Sequence, residues 1–483
     1  MNFLAKLLLS LLTKLLLLIL LLGADHANAQ RKTTSVRIER KGVTSISVNN
    51  GFGNRFKVEF QGDIKLTDDD ADVAAISPGG YMDLRKTAFG SKRRIYIESS
   101  ESGNLTRKYY VGGSEKSFDG EGKKWLAEVL LEVVRHTTLG SKERVDRIYK
   151  KSGTYGVLKE VGNIENDRVK TVYIKHLLDK SPKEENLLSI LNVIREGIDS
   201  DYHKATLLKR NANQFLGSSS TAASYIQAAS SIDSDHHKAE VLKTSLKGSQ
   251  LQDNQFKSLC LAAKDIDSDY HKASVLSNAL RNPDMNSEAL KTLMSTARSI
   301  DSDHHRASVI KNALTRAGVT SSSYHTMLSA MDGMTSDHHR DDVLSKMLNT
   351  SLDNATLDHV LKNVNKMDSD SHRAHVLKRM VRNQSFSKEN LNTFSEVLDR
   401  LSSDHHKSEV LKYASRLDLD GEELVTLFDT ATGIDSDYHK TEALLALSSK
   451  MDHSDSSMRE AYRAACKSIN SDSHYRRAID KLD

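Results

Sequence analysis

Histidine recurs through much of this chain inside one short pattern, Ser-Asp-x-His followed by a basic residue in eight of the nine copies. The copies lie 33 to 35 residues apart, and their histidines are His203, His237, His271, His305, His339, His372, His406, His439 and His474. An imidazole changes its charge near neutral pH and is a common metal ligand. The pattern therefore raises pH sensing, metal binding and contact with a partner as possible roles.

Four of the copies carry a histidine doublet, which suggests a metal site: His236-His237, His304-His305, His338-His339 and His405-His406. On a helix, adjacent side chains point about 100° apart, and side chains two residues apart point about 160° apart. Neighbouring repeats lie about 10 Å apart, whereas zinc needs its donors about 2 Å from one ion. We therefore predict no metal ligands and no cofactor. A histidine-rich envelope sensor of metal or pH remains the alternative function.

The serine and aspartate of the pattern have a structural explanation. A serine hydroxyl caps the free amides at the start of a helix, and an aspartate in the first turn is favoured by the helix dipole. We predict structural capping by Ser200, Asp201, Ser234, Asp235, Ser268, Asp269, Ser302, Asp303 and their counterparts. The basic residue, such as Lys204, is expected to reach an Asp of the neighbouring repeat. Only the histidine exceeds what folding needs, so the nine histidines named above are the candidates for partner binding or pH sensing.

The sequence contains no catalytic signature. His-Glu-x-x-His, Gly-x-Ser-x-Gly, a Walker loop and a dinucleotide fingerprint are all missing. The two cysteines, Cys260 and Cys466, lie among apolar residues, so we expect buried free thiols rather than nucleophiles. We predict no catalytic residues and a non-enzymatic protein.

The fixed period predicts an α-solenoid, because small helical units of equal length bury their apolar faces only against their neighbours. Each period divides into two helices, and one pair is predicted from Ser287 to Ile300 and from Ser302 to Leu314. The period equals that of a tetratricopeptide repeat, but the signature of that repeat is missing, so HEAT-like is the better description. We place the solenoid at 161–483, beginning with a degenerate copy that lacks the histidine.

The residues before the solenoid show a different period. Apolar and polar residues alternate over 30–118, which predicts a small antiparallel β domain of five to seven strands. Its acidic run Asp68–Asp72 lacks the glycine and the distant glutamate of a calcium loop, so we interpret it as a solvated turn. A helical connector and N-terminal cap is predicted at 119–160, with Trp125 sealing the first repeat. The fold class is therefore mainly α, with a β domain in front of the solenoid.

The first 29 residues have the pattern of a secretory signal peptide. Lys6 precedes an apolar run of about 16 residues, shorter than the roughly 20 that span a bilayer, and Ala27-Asn28-Ala29 fits a cleavage site. We expect export to the periplasm or the extracellular space of a Gram-negative bacterium, with no stable membrane insertion after cleavage. The formal charge of +4 is spread along the chain without a basic block, which argues against nucleic acid as a partner.

Several motifs resemble those of a group of uncharacterised exported bacterial proteins. They are Pro78-Gly-Gly80-Tyr81, Tyr109-Tyr-Val-Gly-Gly113, Phe118-Asp-Gly-Glu-Gly-Lys-Lys-Trp125-Leu126 and the repeated Ser-Asp-x-His-Lys-x-x-Val-Leu. In that group a small β domain precedes HEAT-like helical repeats with Glu in place of His. Similar modules are attached to antirepressor-type membrane metallopeptidases, which implies an envelope sensing or scaffolding role. The peptidase motif is missing here, so no catalytic residue carries over.

These observations predict an exported scaffold that binds a protein or peptide on its concave solenoid face. The β domain is expected to be a second recognition or anchoring module. Extended surfaces of this kind are what helical repeat stacks offer to partners.

Overall fold

The computed structural model describes residues 33–38, 43–49, 55–88, 90–247, 251–316 and 318–482. The predicted signal peptide lies outside these residues. The chain divides into two compact units, one ending at His203 and the other beginning at Lys204.

The N-terminal unit contains an antiparallel sheet with strand order β1-β2-β3-β6-β7-β8-β9 and a separate β4-β5 hairpin. Alternating apolar residues form this sheet because successive side chains of a strand point to opposite faces. In β3, for example, Phe56 and Val58 are buried while Arg55 is exposed. The strands are β1 (Thr33–Ile38), β2 (Val43–Asn49), β3 (Arg55–Gln61), β4 (Ile64–Leu66), β5 (Val73–Ile76), β6 (Tyr81–Ala88), β7 (Ser91–Ser99), β8 (Leu105–Val111) and β9 (Ser114–Lys116).

The first helix, α1 (Lys123–His136), shares the core of this sheet. Leu126 and Leu130 are fully buried among the apolar residues of the strands. The Trp125 ring lies 5.8 Å from that of Tyr109 in β8. The expectation that Trp125 seals the first repeat is therefore wrong, because the apolar face of α1 covers the sheet instead.

A buried arginine ties the acidic turn to the helices that follow α1. Arg144 is 4% exposed, and its guanidinium donates to Asp70 at 2.5 Å, to Glu160 at 2.9 Å and to the Tyr173 hydroxyl at 3.0 Å. Arg147 also pairs with Asp70. The interpretation of Asp68–Asp72 as a solvated turn is therefore wrong for Asp70, whose side chain is only 14% exposed. The helices involved are α2 (Ser141–Gly162) and α3 (Asp167–Leu178), and α4 (Glu184–Gly197) follows them.

The remaining helices alternate as the period predicts, and the fold class predicted from the sequence is confirmed. They are α5 (Asp201–Arg210), α6 (Ala212–Phe215), α7 (Ser219–Ser230), α8 (Asp235–Ser245), α9 (Asp253–Lys264), α10 (Asp269–Ala279), α11 (Ser287–Ala297), α12 (Asp303–Ala313), α13 (Ser321–Ala330), α14 (Asp337–Met347), α15 (Asn354–Val364), α16 (Asp370–Asn383), α17 (Lys388–Asp399), α18 (Asp404–Ala414), α19 (Gly421–Thr432), α20 (Asp437–Ser448), α21 (Ser456–Lys467) and α22 (Asp472–Ile479).

Packing between successive repeats forms the core of the C-terminal unit. The first helix of each pair contacts the first helix of the next pair, as α11 contacts α13, and the second helices do the same, as α12 contacts α14. In α12 the small and branched residues Ala307, Val309 and Ile310 are buried at this contact. The stack therefore brings the start of each second helix beside the start of the next one.

Candidate functional site

The Ser of the pattern begins the second helix of most pairs. In six copies the serine hydroxyl accepts a hydrogen bond from the backbone N–H of the motif histidine at 3.4 to 3.5 Å: Ser234, Ser268, Ser302, Ser336, Ser403 and Ser436. In two copies the hydroxyl bonds the serine two residues later instead, as Ser369 bonds Ser371 and Ser471 bonds Ser473. The backbone of the motif histidine is therefore part of the cap, and only its ring is left for another role.

The Asp of the pattern links one repeat to the next. The carboxylate of Asp269 accepts hydrogen bonds from the backbone N–H groups of Asp301 at 3.2 Å and Ser302 at 2.7 Å, just before α12. The carboxylates of Asp235, Asp303, Asp337, Asp370, Asp404 and Asp437 each make the equivalent bonds to the next repeat. Asp167, in the degenerate copy, bonds Asp199 and Ser200 in the same way. We call this contact the aspartate anchor.

The anchor affects the protonation of its carboxylates. Burial acts to raise the pKa of Asp303, but the hydrogen bonds from Ser336 and Thr335 outweigh it, so the pKa lies below its ordinary value. The backbone N–H of Asn470 lowers the pKa of the half-buried Asp437. The carboxylates of Asp303 and Asp437 are therefore ionised at neutral pH.

The basic residue of the pattern is buried in seven of the eight copies that have one, and it does not reach an Asp of the neighbouring repeat. Lys272 is 6% exposed, and its ammonium donates to the backbone carbonyl of Ser299 at 3.0 Å, just after α11. Lys204, Arg306, Arg373, Lys407 and Lys440 likewise donate to carbonyls at the end of the next first helix. The predicted Asp–basic ladder is therefore wrong. A helix C-terminus presents free carbonyls and the negative end of its dipole, which attract a cation.

The motif histidines are half-buried. Burial lowers the pKa of His203, and it also lowers the pKa of His339, where the neighbouring His338 and His304 add to the effect. The imidazole of His339 is therefore held towards its neutral form.

The residue directly before each motif histidine is exposed in all nine copies. It is Tyr or His in seven of them and Ser in two, Ser371 and Ser473. The side chains of Tyr270 and Tyr438 are 64% and 54% exposed. The candidates predicted from the sequence were the motif histidines, and these tyrosines were not among them. The signal that identifies them is a ring recurring at a helix position where no apolar core is formed.

The rings at these two positions form a row along the C-terminal unit. From His236 onwards, the ring directly before a motif histidine contacts that histidine and also the motif histidine of the next repeat; Tyr270, for example, lies 5.1 Å from His271 and 6.0 Å from His305. Ser371 offers no ring, so the row has two segments. The first comprises His236, His237, Tyr270, His271, His304, His305, His338, His339 and His372, and the second His405, His406, Tyr438, His439 and His474. We call these residues the ring stripe.

Both cysteines are buried and free. Burial raises the pKa of the Cys260 thiol to about 12 and that of Cys466 to about 11. A thiol acts as a nucleophile only as its thiolate, and these groups are protonated at neutral pH.

The N-terminal unit contains a cleft of about 640 Å³ between its strands and α1 to α3. Phe60, His136, Glu143 and Arg168 line it. His136 is already engaged there, since its Nδ1 lies 2.9 Å from the Glu132 carbonyl and its ring is edge-on to Phe56 at 5.7 Å. The residues that recur with the repeats lie elsewhere, in the ring stripe.

No known protein family matches this chain, and no curated protein is similar to it. Among solved structures, a chain described as "Computational Design of Self-Assembling Cyclic Protein Homooligomers" aligns with 62% of this chain and 94% of its own length, at 11% identity and a TM-score of 0.11. A score this low establishes no common fold. Across the part of the chain that the structure describes, no helix has the length and apolar character needed to cross a membrane.

Proposed function

We propose that this chain is an exported, non-enzymatic scaffold that binds a protein or peptide partner through the ring stripe. The observation that carries the proposal is the exposed row of Tyr and His rings at one helix position of successive repeats. The serine, aspartate and basic residue of the pattern already make hydrogen bonds that fold the stack. The exposed rings are in excess of that structural need.

The chemistry of the stripe suits protein recognition. Tyrosine supplies a large contact area with few rotatable bonds and a hydroxyl for hydrogen bonding, and it is enriched among residues that dominate binding energy. Rings repeated about 34 residues apart present the same group at regular spacing, which suits an extended partner that crosses several repeats. The signal-like leader supports export, and the resemblance to envelope modules of antirepressor-type peptidases agrees with a scaffold in that compartment.

Site-specific photo-cross-linking in the native host tests the proposal. A photoreactive phenylalanine analogue replaces Tyr270 or Tyr438 in the stripe, and Leu261 on α9 serves as the control position. These side chains are 64%, 54% and 57% exposed, so access to solvent is matched. We expect adducts of one discrete mass from the two stripe positions and none from position 261.

Adducts that form equally at all three positions, or at none, would contradict the proposal. Once the partner is identified, Tyr270→Ala combined with Tyr438→Ala should weaken its binding by at least about 2 kcal/mol, the loss expected for interface residues that dominate affinity. The double variant should keep the wild-type circular dichroism, because both rings are exposed.

A further inference from the structure

One histidine doublet of the stripe has a carboxylate beside it. Among the residues that the structure describes, His338, His339 and Asp342 form the one group of three in which a ligand atom from each lies within 4.8 Å of the others. All three lie in the first half of α14 (Asp337–Met347). His338 is exposed, and the other two residues are half-buried.

The position of Asp342 explains why this doublet converges. Residues three and four apart are neighbours on a helix surface. Asp342 lies three residues after His339 and four after His338, so its carboxylate sits one turn above both rings. Two adjacent histidines alone point about 100° apart, which was the argument against a metal site. The carboxylate that joins this doublet is not the motif Asp, Asp337, but Asp342 on the next turn of the helix.

The contacts of Asp342 leave one of its carboxylate oxygens available to a metal ion. The Lys311 ammonium of the preceding repeat lies 2.9 Å from Oδ2 of Asp342, which leaves Oδ1 for another partner.

We propose that His338, His339 and Asp342 bind a divalent transition-metal ion of the Zn²⁺ class, with at least one coordination position open. Two imidazole nitrogens and one carboxylate oxygen are a usual donor set for such ions. Metal–ligand bonds of about 2.0 to 2.1 Å place donor atoms about 3.3 Å apart in a tetrahedron. Atoms already within 4.8 Å reach that spacing by side-chain rotation, without moving the helix. This site is an addition to the scaffold role and does not depend on it.

The doublet in the preceding repeat provides an internal comparison. His304 and His305 also begin a second helix, and their rings lie 5.1 Å apart, as do those of His338 and His339. Ser308 occupies the position that corresponds to Asp342. This copy therefore has the imidazoles without the third charged donor.

The other two doublets carry a carboxylate at this position, but a lysine one turn further along the same helix holds it. Glu240 pairs with Lys243 at 2.6 Å, and Glu409 pairs with Lys412 at 3.0 Å. Among the residues that the structure describes, neither carboxylate completes a group of three ligand atoms within 4.8 Å of one another. The repeat of α14 thus differs from its neighbours in the way that a metal site requires.

Binding of Zn²⁺ alone to the full mature chain, purified without a histidine tag, tests the assignment. Isothermal titration should show one site per chain that is tighter than the rest. Asp342→Ser, which copies the natural Ser308, should weaken that site at least about tenfold, since loss of even an outer-shell partner costs 10- to 100-fold. Glu409→Ser is the matched control and should bind like the wild type.

A second pair of variants shows whether a loss of binding in the first pair results from misfolding. His338→Ala removes an exposed ligand and should cause the same loss as Asp342→Ser, whereas His405→Ala should not, because the His405 ring contacts His406 and His439 and not the proposed ligands. Co²⁺ in place of Zn²⁺ should give a visible absorption band that His338→Ala abolishes. The proposal is overturned if the wild type has no tight site, or if the losses are equal in the variant and its control. Cross-linking at Tyr270 remains an independent measure of the scaffold.

Discussion

The aspartate anchor predicts that a single carboxylate controls the local stability of the next repeat. Asp303→Ala removes the acceptor that Oδ2 offers to the backbone N–H groups of Thr335 at 2.8 Å and Ser336 at 2.7 Å. Both groups lie at the start of α14, where helix N–H groups have no partner inside the helix. We expect this helix start to open more often than in the wild type.

The expected magnitude follows from the two hydrogen bonds. A hydrogen bond to a charged group contributes about 1.5 to 3 kcal/mol when its loss leaves the donor unsatisfied. Thr335 is exposed and its N–H can bond water, whereas Ser336 is half-buried. We therefore expect the loss of about one such bond, which lowers the free energy of local opening by about 1.5 to 3 kcal/mol. Since 1.4 kcal/mol corresponds to a factor of ten, local opening should increase roughly ten- to a hundredfold.

Hydrogen exchange measured by mass spectrometry on peptides covering 331–340 provides the assay. Local exchange is preferable to one melting temperature because repeat proteins do not unfold as a single unit. Asp301→Ser is the matched control, since it removes an equal charge two residues earlier and Ser402 occupies that position in another repeat. Unchanged exchange in Asp303→Ala, or equal acceleration in both variants, would refute the reasoning.

Three further predictions concern the buried lysine of the pattern, the aspartate anchor and Trp125. Lys272→Met removes the donor to the Ser299 carbonyl and should lower the free energy of local opening by about 1 to 2 kcal/mol, measured by hydrogen exchange in α10 and α11, whereas Lys272→Arg should be nearly neutral, because Arg fills this place in other repeats. The pKa of Asp303 lies below its ordinary value of 3.8, so the anchor stabilises the fold above that pH and its contribution is lost as pH falls through the lower value. The free energy of local opening at 331–340, measured by hydrogen exchange, should therefore not change through this group between pH 7 and 5 and should fall below about pH 4, less steeply in Asp303→Ala than in the wild type. Trp125→Ala should destabilise the N-terminal unit by about 3 to 5 kcal/mol, detected as faster hydrogen exchange in β6 to β8, with exchange in α12 unchanged.

The repeat pairs show that the pattern within a single helix predicts where that helix begins and ends. The helices predicted from Ser287 and from Ser302 are observed at Ser287–Ala297 and Asp303–Ala313, which end within a few residues of the expected positions. Apolar spacing and a capping residue act within one helix, so they can be recognised in a sequence. The β domain was predicted for the same reason with five to seven strands, whereas the described residues form nine, because three-residue strands such as β4 and β9 carry little alternation.

Contacts between elements were less predictable. The partner of Lys272 was expected to be an Asp, and it is a carbonyl at the end of the next first helix. Trp125 was assigned to the repeats, and it covers the sheet. In both cases the residue type was informative about burial or charge. The choice of partner depends on how elements far apart in sequence pack together.

The sequence by itself determined the two-helix repeat, the helix starts at Ser and Asp, and the histidine as a residue beyond the needs of folding. Each of these depends on neighbours within about one helical turn. Tertiary structure alone decided that the aspartates anchor the next repeat, that exposed rings join into a stripe, and that Lys311 orients Asp342 beside one doublet. Those relations join residues about 31 to 35 positions apart, and the packing of one repeat on the next sets their distances.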